Sequence, residues 1–344
     1  MSRVLERRRQ LLHLMREFTL EKGFFTTTDI QQSADVPRST VQDWINRLLD
    51  EGCVLVREEQ HGRAPARYVS TSTVPSTACR RIFTTTDGEF VEIYHDCMSS
   101  ACAAFCGFHH GLAGGALCRV SRDGTLLREC ARFGSAQADV GLFPAPSVAV
   151  IGIEREGDSV VQTIRCVGGP AYSLTDMMAL AKGVTDVKIS RSGPLVEGKV
   201  YTKALVHLAI GIDDTDSRAG GATFALALAL LQHLGSMKGI FPIAHRIVML
   251  NPAIAEKTAG NSCSFIEIAT EPAIVEGLPE KIFKFVADEA LSPEWGIAIK
   301  RGFTIPPDLR SYGIAARKRT ISRGEAEILA KKYGITLHGG RGVI

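Results

Sequence analysis

Apolar positions at Val4, Leu11, Leu12, Leu14, Met15 and Phe18 recur at helical spacing among polar residues and predict a helix over 4–22. Thr28-Asp29-Ile30 starts a second, short helix with Thr28 or Asp29 as its cap. A turn over 33–38 contains Pro37, and Ser39 is expected to cap a third helix through Val41, Trp44, Ile45, Leu48 and Leu49, stopped by Gly52. Residues 54–57 and 67–69 then read as the two strands of a hairpin. Helix, helix, turn, helix, hairpin is the order of a winged helix-turn-helix, here over residues 1–72. Ser and Thr with Pro75 over 70–77 read as a linker, and Gly168-Gly169-Pro170 and Gly193-Pro194 as turns.

Farther along, short β-like runs at 90–94, 148–153 and 160–164 predict a mixed α+β middle domain over 78–200. An apolar strand at 205–212, a helix at 223–234 and strands at 246–250 and 263–268 predict an α/β domain over 204–344. The chain is thus expected to be multi-domain, α/β and α+β. Its 344 residues suit two or three domains. The longest apolar stretch, 222–231, is far short of a membrane span of roughly 20 residues and reads as a buried helix. The charged N-terminus (Arg7, Arg8, Arg9) lacks the apolar core of a signal peptide, so a cytoplasmic location and no membrane partner are expected. A net charge of +3 leaves any nucleic-acid surface to be local.

The chemistry concentrates in Ile210-Gly211-Ile212-Asp213-Asp214-Thr215-Asp216-Ser217, followed by Gly220 and Gly221. Three carboxylates within four residues repel one another unless a hard cation holds them, and magnesium usually brings a nucleotide phosphate with it. The glycines would let backbone approach that phosphate, and the N-terminus of the next helix would attract its charge. The alternative is a solvated acidic turn capping a helix.

Two further constellations stand out. The third helix offers Arg38, Ser39, Thr40, Gln42, Asn46 and Arg47 outward, and the wing tip adds Arg63 and Arg67. These are the positions that would meet DNA bases and phosphates, although residues 1–70 hold eleven Lys/Arg against ten Asp/Glu. Such modules also dock on protein or RNA. Six of the nine cysteines lie between 79 and 130. If 97–110 is helical, Cys102, Cys106 and His109 or His110 share a face, and Cys97, Cys118 and Cys130 could add ligands, which would suit zinc or an iron–sulfur cluster. With no Cys-x-x-Cys pair, redox-active thiols and plain packing stand beside that reading.

The pattern Gly-Ile-Asp-Asp-Thr-Asp-Ser, with Leu-Asn-Pro at 250–252 and Lys257-Thr258-Ala259-Gly260-Asn261, resembles the kinase-type catalytic domain of archaeal agmatinylcytidine synthetase, which modifies the anticodon cytidine of an isoleucine tRNA using ATP. It is also similar to a methanogenesis-marker family that shares the domain. The resemblance implies that Asp213, Asp214 and Asp216 hold magnesium and ATP, with Gly211, Thr215, Ser217, Gly220, Lys257, Thr258, Gly260 and Asn261 around the phosphates. It ties Thr223 to phosphate transfer, with Phe224 where the family has a second Thr. Lys300, Arg301, Arg310, Arg317, Lys318, Arg319 and Arg323 form the most basic stretch, which would take phosphate or RNA or else be a solvated face. The closing run 339–344 is similar to a family loop that opens a helix near the site, so a fragment or a short version is expected.

The reading is an ATP- and magnesium-dependent phosphotransferase or synthetase acting on tRNA or another RNA, with Asp213, Asp214, Asp216, Thr223 and Lys257 as its catalytic residues. The alternative is a DNA-binding transcriptional regulator whose kinase-like domain senses a nucleotide or metabolite. Association into a homodimer is left open.

Overall fold

The computed structural model describes residues 3–62, 64–73, 78–168, 171, 173–258 and 260–344. Arg63, Ala259, the 74–77 part of the linker, and Gly169-Pro170 lie outside the described residues. The chain divides into two compact units, Met1–Ala78 and Cys79–Ile344.

In the first unit, α1 (Arg3–Lys22), α2 (Thr27–Ala34) and α3 (Arg38–Asp50) precede an antiparallel hairpin of β1 (Val54–Glu58) and β2 (Arg67–Ser70). Leu11, Met15, Ile30, Val41, Ile45, Leu48 and Val54 form its core, so the helical periodicity maps onto one buried face. The caps differ from expectation. Thr26 caps α2 through a capping box with Asp29, ahead of the cap read from sequence at Thr28 or Asp29. Ser39 caps nothing: Pro37 is the cap residue of α3, its ring-fixed φ already suited to the helix start, which puts Ser39 inside the first turn.

The second unit begins with β3 (Cys79–Asp87), β4 (Phe90–Cys97), α4 (Ser100–Ala113), β5 (Leu117–Asp123) and β6 (Leu126–Arg132). Strands β7 (Gly134–Ser135), β8 (Val148–Glu156) and β9 (Ser159–Val167), α5 (Leu174–Met178) and β10 (Val184–Ser192) follow. Then come β11 (Leu195–Asp213), α6 (Thr223–Gly235), β12 (Ile240–Met249), β13 (Ser262–Thr270), α7 (Leu278–Glu289) and β14 (Gly296–Arg301). Helices α8 (Pro307–Ala316) and α9 (Arg323–Tyr333) and strand β15 (Thr336–Gly339) complete it. No helix among the described residues is long and apolar enough to cross a membrane.

Strand β11 organises this unit. Its first half pairs antiparallel with β9 and β10, and its second half with β13 and β14, while Ala204 and Leu205 meet β3 in parallel. The boundary expected between 200 and 204 therefore falls inside one continuous 19-residue strand. Periodicity alone marked only its apolar second half, because Glu197, Lys199 and Lys203 alternate with buried residues in the first.

From Leu208 onward β11 alternates. Leu208, Ile210 and Ile212 join Ile266 and Ile268 of β13 and Ile297 and Ile299 of β14 on one sheet face, where Leu230 and Leu234 of α6 and Ile282 and Val286 of α7 cover them. The opposite face carries Gly211 and Asp213, which the pleat turns away from the helices.

Candidate functional site

A cavity of about 430 Å³ opens on that opposite face, against α8 and the segment after β15. Gly211, Asp213 and Asp214 line one wall, with Glu256, Lys257 and Asn261 from the loop after β12. Arg319 and Arg341 add cationic groups, while Val248, Leu250, Ile254, Ala298, Tyr312, Ala316 and Val343 make the remainder apolar.

The acidic run is split by its own backbone. Asp214 adopts a left-handed φ of 53°, a conformation that Asp tolerates better than most residues, and it accepts a 3.0 Å hydrogen bond at Oδ2 from Arg341 Nε. Asp213 Oδ1 accepts the Asp214 N–H at 2.8 Å. Burial pushes the Asp213 carboxyl up to about 7; the Asp214 N–H opposes this, and the Asp214 and Asp216 charges add to it. Asp216 turns elsewhere: its two oxygens accept from the hydroxyls of Thr223 at 3.0 Å and Thr258 at 2.7 Å. Thr223, at the start of α6, in turn accepts from the N–H and hydroxyl of Thr215. This chain of hydroxyls ties the acidic loop to α6 and to the 258 loop.

The three carboxylates expected to hold magnesium do not converge in this structure. Among the described residues, no three Asp, Glu, His or Cys side chains form a group that could hold a metal ion. Asp213 and Asp214 line the cavity and Asp216 does not: the chain turns through a left-handed Asp214, and Asp216 is held by the hydroxyls of Thr223 and Thr258. Of the other expected residues, Gly211, Lys257 and Asn261 line the cavity, whereas Thr215, Ser217, Gly220, Thr223, Thr258 and Gly260 do not. Lys257 donates to the Pro252 carbonyl, and Asn261 Nδ2 donates to the Asn251 carbonyl at 2.6 Å, so both brace the loop they sit on.

The sequence placed the closing run 339–344 near the site by resemblance but singled out none of Arg341, Tyr312 and Glu256 as site residues. The glycines around Arg341 carried the signal. A Cβ on Gly342 would lie 2.5 Å from the Asp213 carbonyl oxygen, and one on Gly296 would lie 2.1 Å from the Val343 nitrogen. Only glycine at both positions lets the two backbones pack that closely and bring Arg341 to Asp214.

The cysteine stretch is helical only from Ser100, in α4, with Cys97 ending β4, and the expected ligand set does not assemble. His109 packs on Phe105 and Phe108 and accepts the Ser147 N–H at Nδ1 across 3.1 Å. His110 faces inward instead and bonds the buried Glu129. In the first unit, Arg38, Ser39, Asn46 and Arg47 are exposed and Thr40 is half-buried. Gln42 is held between the Thr27 hydroxyl and Asn46, each at 3.0 Å, and Arg67 pairs with Glu58 at 2.8 Å. These two are less available to a partner than their positions suggest.

Residues 209–294 match the sequence profile of the TiaS TCKD domain family, so the segment carrying the acidic loop resembles the catalytic domain of agmatinylcytidine synthetases. The tRNA 2-agmatinylcytidine synthetase TiaS of Pyrococcus horikoshii is 34% identical over 147 residues, 41% of this chain and 34% of that enzyme. The Methanosarcina acetivorans TiaS is 32% identical over 143 residues, 39% of this chain and 33% of that enzyme. The protein MJ0921 of Methanocaldococcus jannaschii is 26% identical over 198 residues, 56% of this chain and 66% of that protein. The chain thus spans about a third of the length of these synthetases and about two thirds of the Methanocaldococcus protein. The crystal structure of a complex of TiaS with its tRNA and ATP aligns over 40% of this chain and 34% of its own, with 24% identity and a TM-score of 0.35.

Proposed function

We propose that the second unit binds ATP in the 430 Å³ cavity and acts as an ATP-dependent synthetase or phosphotransferase on a tRNA or another RNA. One observation carries the reading. Asp213 and Asp214 share their cavity with the cations Lys257, Arg319 and Arg341 and with an apolar lining. That mixed lining suits a polyphosphate joined to a base. The activity named for the TiaS relatives agrees with it.

Two carboxylates presenting hard oxygen donors at the cavity fit magnesium, which takes one or two such ligands together with substrate phosphates. Asp213 and Asp214 would hold it, and it would supply neutralisation of charge on the transferring phosphoryl group. Lys257 and Arg341 would add donors for phosphoryl oxygens, Arg341 with the planar fork that suits them. Thr215, Asp216, Thr223 and Thr258 are assigned a positioning role, since their mutual bonds fix the loop that aims the first two aspartates. Ser217 and Gly220 shape the turn of that loop.

The test is ATP turnover by the full chain with bulk tRNA, compared with Asp214→Ala. Turnover that vanishes in the variant supports the reading; equal turnover in both removes it. The exposed Arg38, Ser39, Asn46 and Arg47 on α3 favour a second reading, a winged-helix regulator whose second unit senses a nucleotide. Nucleotide binding without turnover, together with tight and salt-sensitive binding to its own promoter DNA, would select it.

A further inference from the structure

One group of reactive side chains lies apart from the cavity. Cys79 and Cys97 stand directly opposite in the antiparallel register of β3 and β4. Cys102 and Cys106 lie one turn apart on α4, and the Cys102 thiol sits beside those of both Cys97 and Cys106. Cys97, Cys102 and Cys106 are all thiols rather than disulfides. Their exposure differs: Cys97 and Cys106 are buried, whereas Cys102 is half-exposed.

Cys102 occupies the first turn of α4, where its own N–H donates to the capping Ser99 hydroxyl at 3.2 Å and the free helix end favours negative charge. His95 adds to this. It is buried, its Nε2 lies 3.5 Å from the Glu129 carboxylate, and it is the imidazole whose charge favours the Cys102 thiolate. The Cys106 and Cys97 thiols hydrogen-bond toward the Cys102 sulfur, and with His95 they bring its pKa down to about 6, against the effect of burial. Burial pushes Cys97 well above the ordinary thiol range, so it stays protonated.

We propose that Cys102 is a peroxide-reactive thiol and Cys97 its resolving partner. The Cys102 sulfur attacks a hydroperoxide oxygen. An S–O bond forms, the O–O bond breaks, and the leaving oxygen departs with a proton as water or alcohol. The Cys97 sulfur then attacks Cys102; an S–S bond forms, the S–O bond breaks, and the sulfenic oxygen leaves as water with the Cys97 proton. Two thiols lose two electrons, and the peroxide gains them. Cys106 is excluded as partner by geometry. Residues one helical turn apart hold their Cβ atoms about 5–6 Å apart, whereas a disulfide needs roughly 3.5–4.5 Å. Cys97 lies outside the helix, at the end of β4, and is not held to that spacing.

The test treats the full chain with a few equivalents of hydrogen peroxide and maps thiols by peptide mass spectrometry without reduction. A Cys97–Cys102 linkage is expected, with Cys102 alkylating at pH 7 at least tenfold faster than the exposed Cys118. Cys102→Ser is expected to abolish the linkage, and Cys106→Ser to leave it. Three results would overturn the assignment: Cys102 alkylating no faster than Cys118, a peroxide-induced linkage that joins Cys79 to Cys97 or Cys102 to Cys106 instead, or a stoichiometric zinc or iron on these thiols in the purified protein that must be stripped before they react. None of these readouts depends on ATP turnover, so the proposal stands or falls apart from the nucleotide reading.

Discussion

Arg341 Nε donates to Asp214 Oδ2 at 3.0 Å, joining the glycine-rich segment after β15 to the acidic loop 127 residues earlier. The contact holds a guanidinium against the carboxylate assigned to magnesium and nucleotide. Arg341→Ala is expected to weaken ATP binding about tenfold, the worth of one charge-assisted hydrogen bond of about 1.5 kcal/mol. Calorimetric titration of the variant with Mg-ATP checks this, and unchanged affinity would place Arg341 outside the phosphate site.

Asp213 sets a pH dependence. Its carboxyl is raised to about 7 in the folded chain, against roughly 4 when unfolded. Between those values the folded state holds the extra proton, so this contribution is complete below about pH 4 and is lost as pH rises toward 7. Asp213→Asn is therefore expected to be more stable than the parent at pH 8, by about 1–2 kcal/mol, and no more stable at pH 4. Thermal melts at the two pH values decide. Ligand binding runs the other way: a divalent ion needs the carboxylate, so Mg-ATP affinity is expected to fall as pH drops below 7.

Asp216 separates support from contact. Both its oxygens accept hydroxyls, from Thr223 and Thr258. Asp216→Ala strands those donors and is expected to cost about 1–3 kcal/mol of stability. Asp214→Ala is expected to cost less stability and more nucleotide affinity. Chemical denaturation paired with nucleotide titration on both variants reads the contrast, and a reversed order would reassign the two aspartates.

Arg128 bridges two buried carboxylates, bonding Glu92 at 2.8 Å and Glu267 at 2.9 Å. Burial works against an ionised Glu267, yet the His207 hydrogen bond and the Arg128 charge hold it down at about 2. Its contribution is present above about pH 4.3 and is lost as pH falls through 2. Arg128→Met leaves both carboxylates without their shared cation and is expected to cost about 3–5 kcal/mol near neutral pH. The gap from the parent should narrow in urea titrations at pH 3; a constant gap would contradict this account.

Much of the local structure was legible in the chain. The periodicity over 4–22 and the run before Asp213 announced α1 and the second half of β11, because burial on one face leaves a spacing that any reader can count. The start of α6 at Thr223 was legible for the same reason. Which aspartates share a cavity was not. Three neighbours in sequence part company because Asp214 is left-handed and Asp216 is drawn to the hydroxyls of Thr223 and Thr258.

The amino-acid order by itself determined the chemistry on offer: adjacent carboxylates, a thiol-rich helix, and glycines where backbones must meet. Tertiary structure decided the partners. Arg341 reaches Asp214, and His110 rather than His109 faces Glu129. Long-range sheet register and helix rotation set these pairings, and no local spacing encodes them.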